Sequence, residues 1–214
     1  MTEHHISVRR TARFYTLGTP GTHIKEIWFV CHGYGQLAKY FIRHFDILDD
    51  GSRLIVAPEG LSRAYLENMS GRVGASWMTK EDRENEIADY IAYLNQVYDE
   101  ILQQVGATPK ITLLGFSQGT ATICRWFDNG HIRADKLILW AGLLPPDFDL
   151  ASHRQTFQQT DLLVVLGTKD EYATPKNTAP QRQALAQHRI PYQFHSFNGG
   201  HHLDSEILEK IAGE

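Results

Sequence analysis

The chain has 214 residues, 42% of them hydrophobic, with 21 Lys plus Arg against 25 Asp plus Glu for a formal charge of -4. That length can bury one substantial core, and the composition excludes fibrous, disordered and disulfide-scaffold classes, so one globular domain over residues 1–214 is expected. The charge balance offers no basic field for nucleic acid or an anionic membrane surface.

The N-terminal residues, including Arg9, Arg10 and Arg13, hold no apolar run of the kind a secretory signal needs, so the mature chain is expected to begin near Met1. The most apolar stretch, 137–144, is interrupted by Gly142 and stopped by Pro145 and Pro146, too short for a membrane span. Cys31 and Cys124 are the two cysteines. Both lie in apolar surroundings, which predicts buried reduced thiols and a cytoplasmic location.

In chain order, residues 3–16 read as an antiparallel edge hairpin. Strands are expected at 27–32, 53–57, 110–115, 136–140, 161–167 and 192–197, where continuous apolar runs such as Ile111, Leu113 and Leu114 suit strands covered on both faces. The clearest helix carries Ile87, Ile91, Leu94, Tyr98, Ile101, Leu102 and Val105 at spacings of three and four, with Thr79 as its cap and Gly106 and Pro109 as its stop. A second helix is expected over 117–128, and weaker helical patterns cover 40–48, 180–188 and 205–211. This alternation predicts an α/β fold with a mostly parallel, doubly wound central sheet flanked by helices. The connections 58–80 and 141–160 leave the C-terminal ends of strands, where open parallel sheets place ligands, and are expected to wall a substrate cleft.

Gly115-Phe116-Ser117-Gln118-Gly119 lies between a strand pattern and a helix pattern, the context of a nucleophile elbow. A sharp strand-to-helix turn presents the Ser117 hydroxyl at a helix N-terminus, and the flanking glycines make room for neighbouring strands. Serine is a weak nucleophile at neutral pH, so a base must take its proton and an acid must orient that base. The chain supplies them in the order serine, acid, histidine. Asp170 follows the strand 161–167, with Glu171 as the rival acid. His201 follows the last strand and Gly199-Gly200, with His202 as the rival base. Successive side chains on an extended loop point to opposite sides, so only one of the two faces Ser117.

The segment Cys31-His32-Gly33-Tyr34-Gly35-Gln36 follows the first strong strand and offers the backbone N–H of Tyr34, which with that of Gln118 would form an oxyanion hole. His32 reads as a structural hydrogen-bonding residue beneath that turn. Adjacent His201 and His202 lack the spacing that sets two imidazoles on one helix face, so no metal site is expected, and no cofactor is required.

The HGYGQ, GFSQG, GTKD and GGHH segments, in this order over residues 27–204, resemble the phospholipase/carboxylesterase family, which includes acyl-protein thioesterases and small carboxylesterases. The resemblance implies an α/β-hydrolase fold with no cap domain and hydrolysis of carboxylic esters. Its pattern sets the histidine directly after the glycines, which selects His201. Ser76-Trp77-Met78 and Gly142-Leu143-Leu144-Pro145 resemble the family's cleft-lining segments, which makes Trp77, Leu143 and Leu144 candidate substrate-binding residues. Ser117 argues against a dienelactone-hydrolase relative, where cysteine is expected, and 63–74 carries no thioesterase signature.

The expected activity is a serine carboxylesterase acting on small-molecule esters of short or medium acyl chains, through a Ser117-His201-Asp170 triad and an acyl-enzyme. The rivals are a thioesterase or lysophospholipase with the same triad, and a non-catalytic binding module of the same fold. Nothing in the chain opposes a homodimer.

Overall fold

The computed structural model describes residues 1–68, 70–106 and 108–214. Its strands in chain order are β1 (Phe14–Leu17), β2 (Glu26–Cys31), β3 (Arg53–Pro58), β4 (Ser62–Tyr65), β5 (Val73–Ser76), β6 (Lys110–Phe116), β7 (Lys136–Trp140), β8 (Asp161–Gly167) and β9 (Gln193–Phe197). Seven of them form the main sheet, in the spatial order β1-β3-β2-β6-β7-β8-β9. Only β1 runs antiparallel to its neighbour there. The pair β4 and β5 makes a separate antiparallel ribbon in the connection after β3.

The helices are α1 (Ala38–Phe41), continued by a 3-10 turn over Ile42–Leu48, α2 (Arg83–Val105), α3 (Gln118–Asn129), α4 (Pro175–Gln187) and α5 (Ser205–Gly213). Among the described residues no helix is long and apolar enough to cross a membrane.

Strand side chains alternate between two apolar layers. Ile27, Phe29, Leu113 and Leu139 pack with α2 and α3 through Leu94, Ile101, Ile123 and Trp126. Trp28, Val30, Leu114 and Ile138 pack with Phe41, Phe45, Leu208 and Ile211 on the other face. Both faces of the central strands are therefore covered, which is why those strands read as continuous apolar runs. Cys31 and Cys124 are buried free thiols, and burial pushes both thiols well above the usual cysteine range, so neither is a reactive thiolate.

Two expectations are corrected here. The segment 3–16 is not a hairpin: only Phe14–Leu17 forms a strand, and it pairs with β3, while residues 1–11, Ile6 and Val8 included, are exposed and bury no face that would fix a partner strand. Thr79 does not cap α2, which starts at Arg83 with Asp82 as its N-cap in the left-handed region. Glu86 in the first turn instead reaches back to the Thr79 N–H. The connection 58–80 holds β4 and β5, whereas 141–160 holds one 3-10 turn, Thr156–Gln158. The C-terminal end of α2 is as expected, with Gly106 in the left-handed conformation donating to Leu102.

Strand register sets the functional edge. Cys31 lies opposite Gly115, Phe116 opposite Trp140, and Gly167 opposite Phe197. The loops after β2, β6, β8 and β9 therefore all leave the same edge of the sheet.

Candidate active site

Ser117 occupies the turn between β6 and α3 with φ 54° and ψ -115°, a backbone conformation that side-chain-bearing residues rarely adopt. Surrounding contacts hold it there. Its N–H donates to the Trp140 carbonyl at 2.9 Å, and its carbonyl accepts from the Thr120 N–H at 3.1 Å and from the Thr120 hydroxyl. The elbow's glycines follow from close backbone approach. A Cβ on Gly115 would lie 2.3 Å from the Gly119 carbonyl oxygen, and one on Gly119 would lie 2.1 Å from that of Cys31.

Two loops join backbone to backbone to bring the acid and the base together. Thr168 N–H donates to Phe197 at 2.9 Å and Lys169 N–H to Gly199 at 2.8 Å. A Cβ on Gly167 would sit 2.4 Å from the Gly199 oxygen, so only glycine allows this approach. The result is a continuous chain of hydrogen bonds. His201 Nε2 lies 2.9 Å from Ser117 Oγ, and its Nδ1 lies 2.9 Å from Asp170 Oδ2.

The Asp170 side chain is 0% exposed, and its other oxygen accepts from the Tyr172 N–H at 2.9 Å. Phe116 and Tyr172 flank the His201 ring, with centroids 5.0 and 4.8 Å away. Glu171 is exposed. His202 turns away: its ring packs on Phe197 at 5.2 Å and its carbonyl accepts from Trp140 Nε1. Asp204 caps α5 by accepting from the Ile207 N–H at 3.0 Å.

The loop after β2 crosses directly beneath the elbow, and a Cβ on Gly33 would meet the Ser117 Cβ at 3.2 Å. Gln36 holds this loop, its Oε1 accepting from the Gly33 N–H at 2.8 Å, while the Gly35 N–H donates to Ala75. The Tyr34 and Gln118 N–H groups have no acceptor among the described residues, and both belong to segments that border Ser117.

His32 is fully buried, with Nδ1 2.8 Å from the Gly33 oxygen and Nε2 accepting from the Gly60 N–H at 3.0 Å. Those partners require the neutral Nδ1–H tautomer, and burial holds the imidazole below its usual pKa. It ties the loop after β2 to the end of β3.

Trp77 departs from its expected place on the cleft wall. It is 1% exposed, its Nε1 donates to the His32 carbonyl at 2.8 Å, and its ring lies against His32 and Tyr90. A large ring with a satisfied N–H gains more as core than as lining, and it supports the site from below. Leu143 and Leu144 are half-buried on the loop that passes the elbow, where a Cβ on Gly142 would meet the Ser117 oxygen at 2.6 Å. Leu144 also packs on the α2 and α3 core.

Sequence reasoning chose Gln118 for its backbone alone, yet its side chain clamps the segment after β5. Oε1 accepts from the Trp77 N–H at 3.2 Å, and Nε2 donates to the Met78 carbonyl at 2.9 Å. It also passed over Arg125, whose Nε and Nη2 grip Asp147 at 2.9 and 2.8 Å and pin the 141–160 loop to α3. Those arginine hydrogen bonds hold the Asp147 carboxyl below the usual carboxylate range. Long-range partners such as these leave no local signal, whereas the Gly33–Gln36 closure spans four residues of the HGYGQ run.

A parallel sheet with a serine elbow, a histidine and an enclosed carboxylate at one edge defines the α/β-hydrolase class. The chain belongs to the phospholipase/carboxylesterase family, which it matches over residues 19–213. The fold is shared with several solved structures. Acyl-protein thioesterase 2 of Zea mays has 20% identity and a TM-score of 0.72, with 95% of this chain and 97% of that chain covered. The carboxylesterase of Mesorhizobium loti has 19% identity and a TM-score of 0.67, over 89% and 90% of the two chains. The Bacillus cereus carboxylesterase has 17% identity and a TM-score of 0.67, over 94% and 92%. No curated protein sequence matches the chain significantly. Family and fold together mark a hydrolase of the esterase and thioesterase type.

Proposed function

We propose that the protein hydrolyses carboxylic esters through Ser117, His201 and Asp170, and the observation that carries this reading is the unbroken hydrogen-bond chain Ser117 Oγ, His201, Asp170. With Nδ1–H donated to the Asp170 carboxylate, Nε2 is left as the acceptor facing the serine hydroxyl. Ser117 Oγ attacks the ester carbonyl carbon as its proton passes to Nε2, and the carbonyl oxygen becomes an oxyanion within reach of the Tyr34 and Gln118 N–H groups. When the tetrahedral intermediate collapses, the carbon–oxygen bond to the alcohol breaks and His201 returns the proton to the leaving alkoxide. Water then attacks the acyl-enzyme with His201 again as base, releasing the acid and restoring Ser117. None of these steps draws on a metal or an organic cofactor.

Short and medium acyl esters are the preferred substrates in this reading. The connection from β7 to β8 carries only the turn Thr156–Gln158 and inserts no helical cap over Ser117, so added methylenes on a long chain gain little burial. The test is a series of p-nitrophenyl esters from acetyl to palmitoyl, with a fluorophosphonate probe for the activated serine. Ser117→Ala is expected to lose the label and at least about 10³-fold in turnover while remaining folded. Retention of more than about a tenth of the activity removes Ser117 from its role, and a steep rise in kcat/KM toward palmitoyl removes the chain-length preference.

A further inference from the structure

Resting on the esterase reading above, we infer that the cavity between the loop after β2, α1 and the β4–β5 ribbon is a subsite for a carboxylate carried by the ester substrate, with Arg72 as its counter-charge. The cavity has a volume of about 370 Å³ and is lined by Gly35, Gln36, Leu37, Tyr40, Phe41, His44, Arg72 and Val73. Its polar groups are a guanidinium, an imidazole, a phenol and an amide, and no carboxylate is part of its wall.

Three cations lie on or beside its wall. Arg13, Arg53, Arg63, Arg83 and Arg125, which tie elements of the fold together, are each paired with a carboxylate. Among the described residues Arg72 has no such partner, nor have Lys39 and Arg43, which lean on the outer ring of Tyr40 with each charge 5.3 Å from the centroid. A protein of net charge -4 thus keeps three uncompensated cations around one small cavity. His44 adds a polar group of a different kind, since burial lowers its pKa and leaves a neutral ring able to donate one hydrogen bond. A planar guanidinium with free N–H groups matches a carboxylate, and the neighbouring positive field favours an anion over a neutral group of the same shape.

The cavity is also placed to act on the substrate of Ser117. Gly33 borders the serine Cβ and Gly35 lines the cavity, and two residues of extended chain span at most about 7 Å. Phe41 on the cavity wall packs on Phe116, which packs on His201. On that span, a carboxylate two to four carbons from the scissile carbonyl is of the length that would bridge Ser117 and the cavity.

The experiment compares isosteric ester pairs that differ by carboxylate against carboxamide. Monomethyl succinate against methyl succinamate places the charge on the acyl side, and acetoxyacetate against acetoxyacetamide places it on the alcohol side. In at least one pair the wild-type kcat/KM is expected to favour the carboxylate by about tenfold, the low end for a charge-assisted hydrogen bond because Arg72 is exposed. Arg72→Gln should bring that ratio close to one, with Arg72→Lys intermediate. A general loss of structure would lower both members of a pair and leave the ratio unmoved.

Wild-type ratios near one in both pairs, or a ratio unchanged by Arg72→Gln, overturn the subsite and leave the esterase reading standing. Should no ester be turned over and no fluorophosphonate label appear, the esterase reading fails by itself. Calorimetry with succinate then decides the subsite: saturable binding weakened about tenfold in Arg72→Gln retains it, and no saturable binding removes it.

Discussion

Replacing Asp170 by asparagine leaves the shape of the site intact and changes only which atoms donate. Both carboxylate oxygens are committed, one to His201 Nδ1 at 2.9 Å and the other to the Tyr172 N–H at 2.9 Å, in a side chain fully enclosed by protein. The Tyr172 N–H can only donate, so in Asp170→Asn the amide oxygen must face it and the amide NH₂ must face His201. Nδ1 then has to accept, which moves the ring proton to Nε2 and leaves no base opposite Ser117.

Turning the amide over restores the productive tautomer but opposes two donors at Tyr172, at a cost of about 1–3 kcal/mol. Loss of the carboxylate's charge-assisted hydrogen bond to the imidazolium removes a further ~1.5–3 kcal/mol of transition-state stabilisation. At about 1.4 kcal/mol per decade these combine to a fall in turnover of roughly 10² to 10⁴. The assay is initial-rate hydrolysis of p-nitrophenyl butyrate, with urea unfolding to show that Asp170→Asn remains folded. Glu171→Gln alters an exposed side chain outside this hydrogen-bond chain and should stay within about twofold of wild type. Asp170→Asn retaining more than a tenth of the activity, or Glu171→Gln proving the more damaging, would refute the reasoning.

His202→Ala is expected to keep activity within about threefold and His201→Ala to lose at least about 10³-fold, because the His202 ring rests on Phe197 and away from Ser117. A reversed order in the same rate assay would hand the base role to His202. Gly119→Ala gains about 1 kcal/mol of helix propensity but forces a methyl to 2.1 Å from the Cys31 carbonyl. Between two backbones the overpacking reaches about 3 kcal/mol or more, so the variant should be at least ~2 kcal/mol less stable in urea. Stability equal to wild type would mean that β2 and α3 do not approach so closely. Asp147→Asn removes the partner of a nearly buried Arg125, and a loss of about 1–2 kcal/mol is expected at pH 7, discounted because Asp147 itself is 38% exposed. The folded-state pKa of Asp147 lies below its unfolded value, so its contribution is full above about pH 4 and fades as pH falls toward the folded pKa. The stability gap between wild type and variant should therefore narrow below about pH 4, and a gap independent of pH from 7 to 2 would contradict this.

The local pattern of the chain determined the strands β2, β3, β6, β7 and β8 to within a residue, because strands covered on both faces must be apolar without interruption, and it placed the mostly exposed edge strand β9 as closely. It determined the elbow for a similar reason: Gly115 and Gly119 flank Ser117 because each would otherwise place a Cβ inside a neighbouring backbone. The order of the serine, acid and histidine segments was legible too, since each follows a strand that ends at the same edge of the sheet.

Tertiary structure decided what depends on contacts across tens of residues. Which of Asp170 and Glu171 faces the imidazole follows from the Lys169–Gly199 and Thr168–Phe197 hydrogen bonds between two loops, which no spacing encodes. Trp77 looked like cleft lining because Ser76-Trp77-Met78 resembles the family's cleft-lining segments, but the reach of its N–H to the His32 carbonyl carries the ring into the core. The side chain of Gln118 and the Arg125–Asp147 pair lock the two connections to α3. Their partners lie 40 and 22 positions away in the chain, and only the closing of the sheet and its helices brings them together.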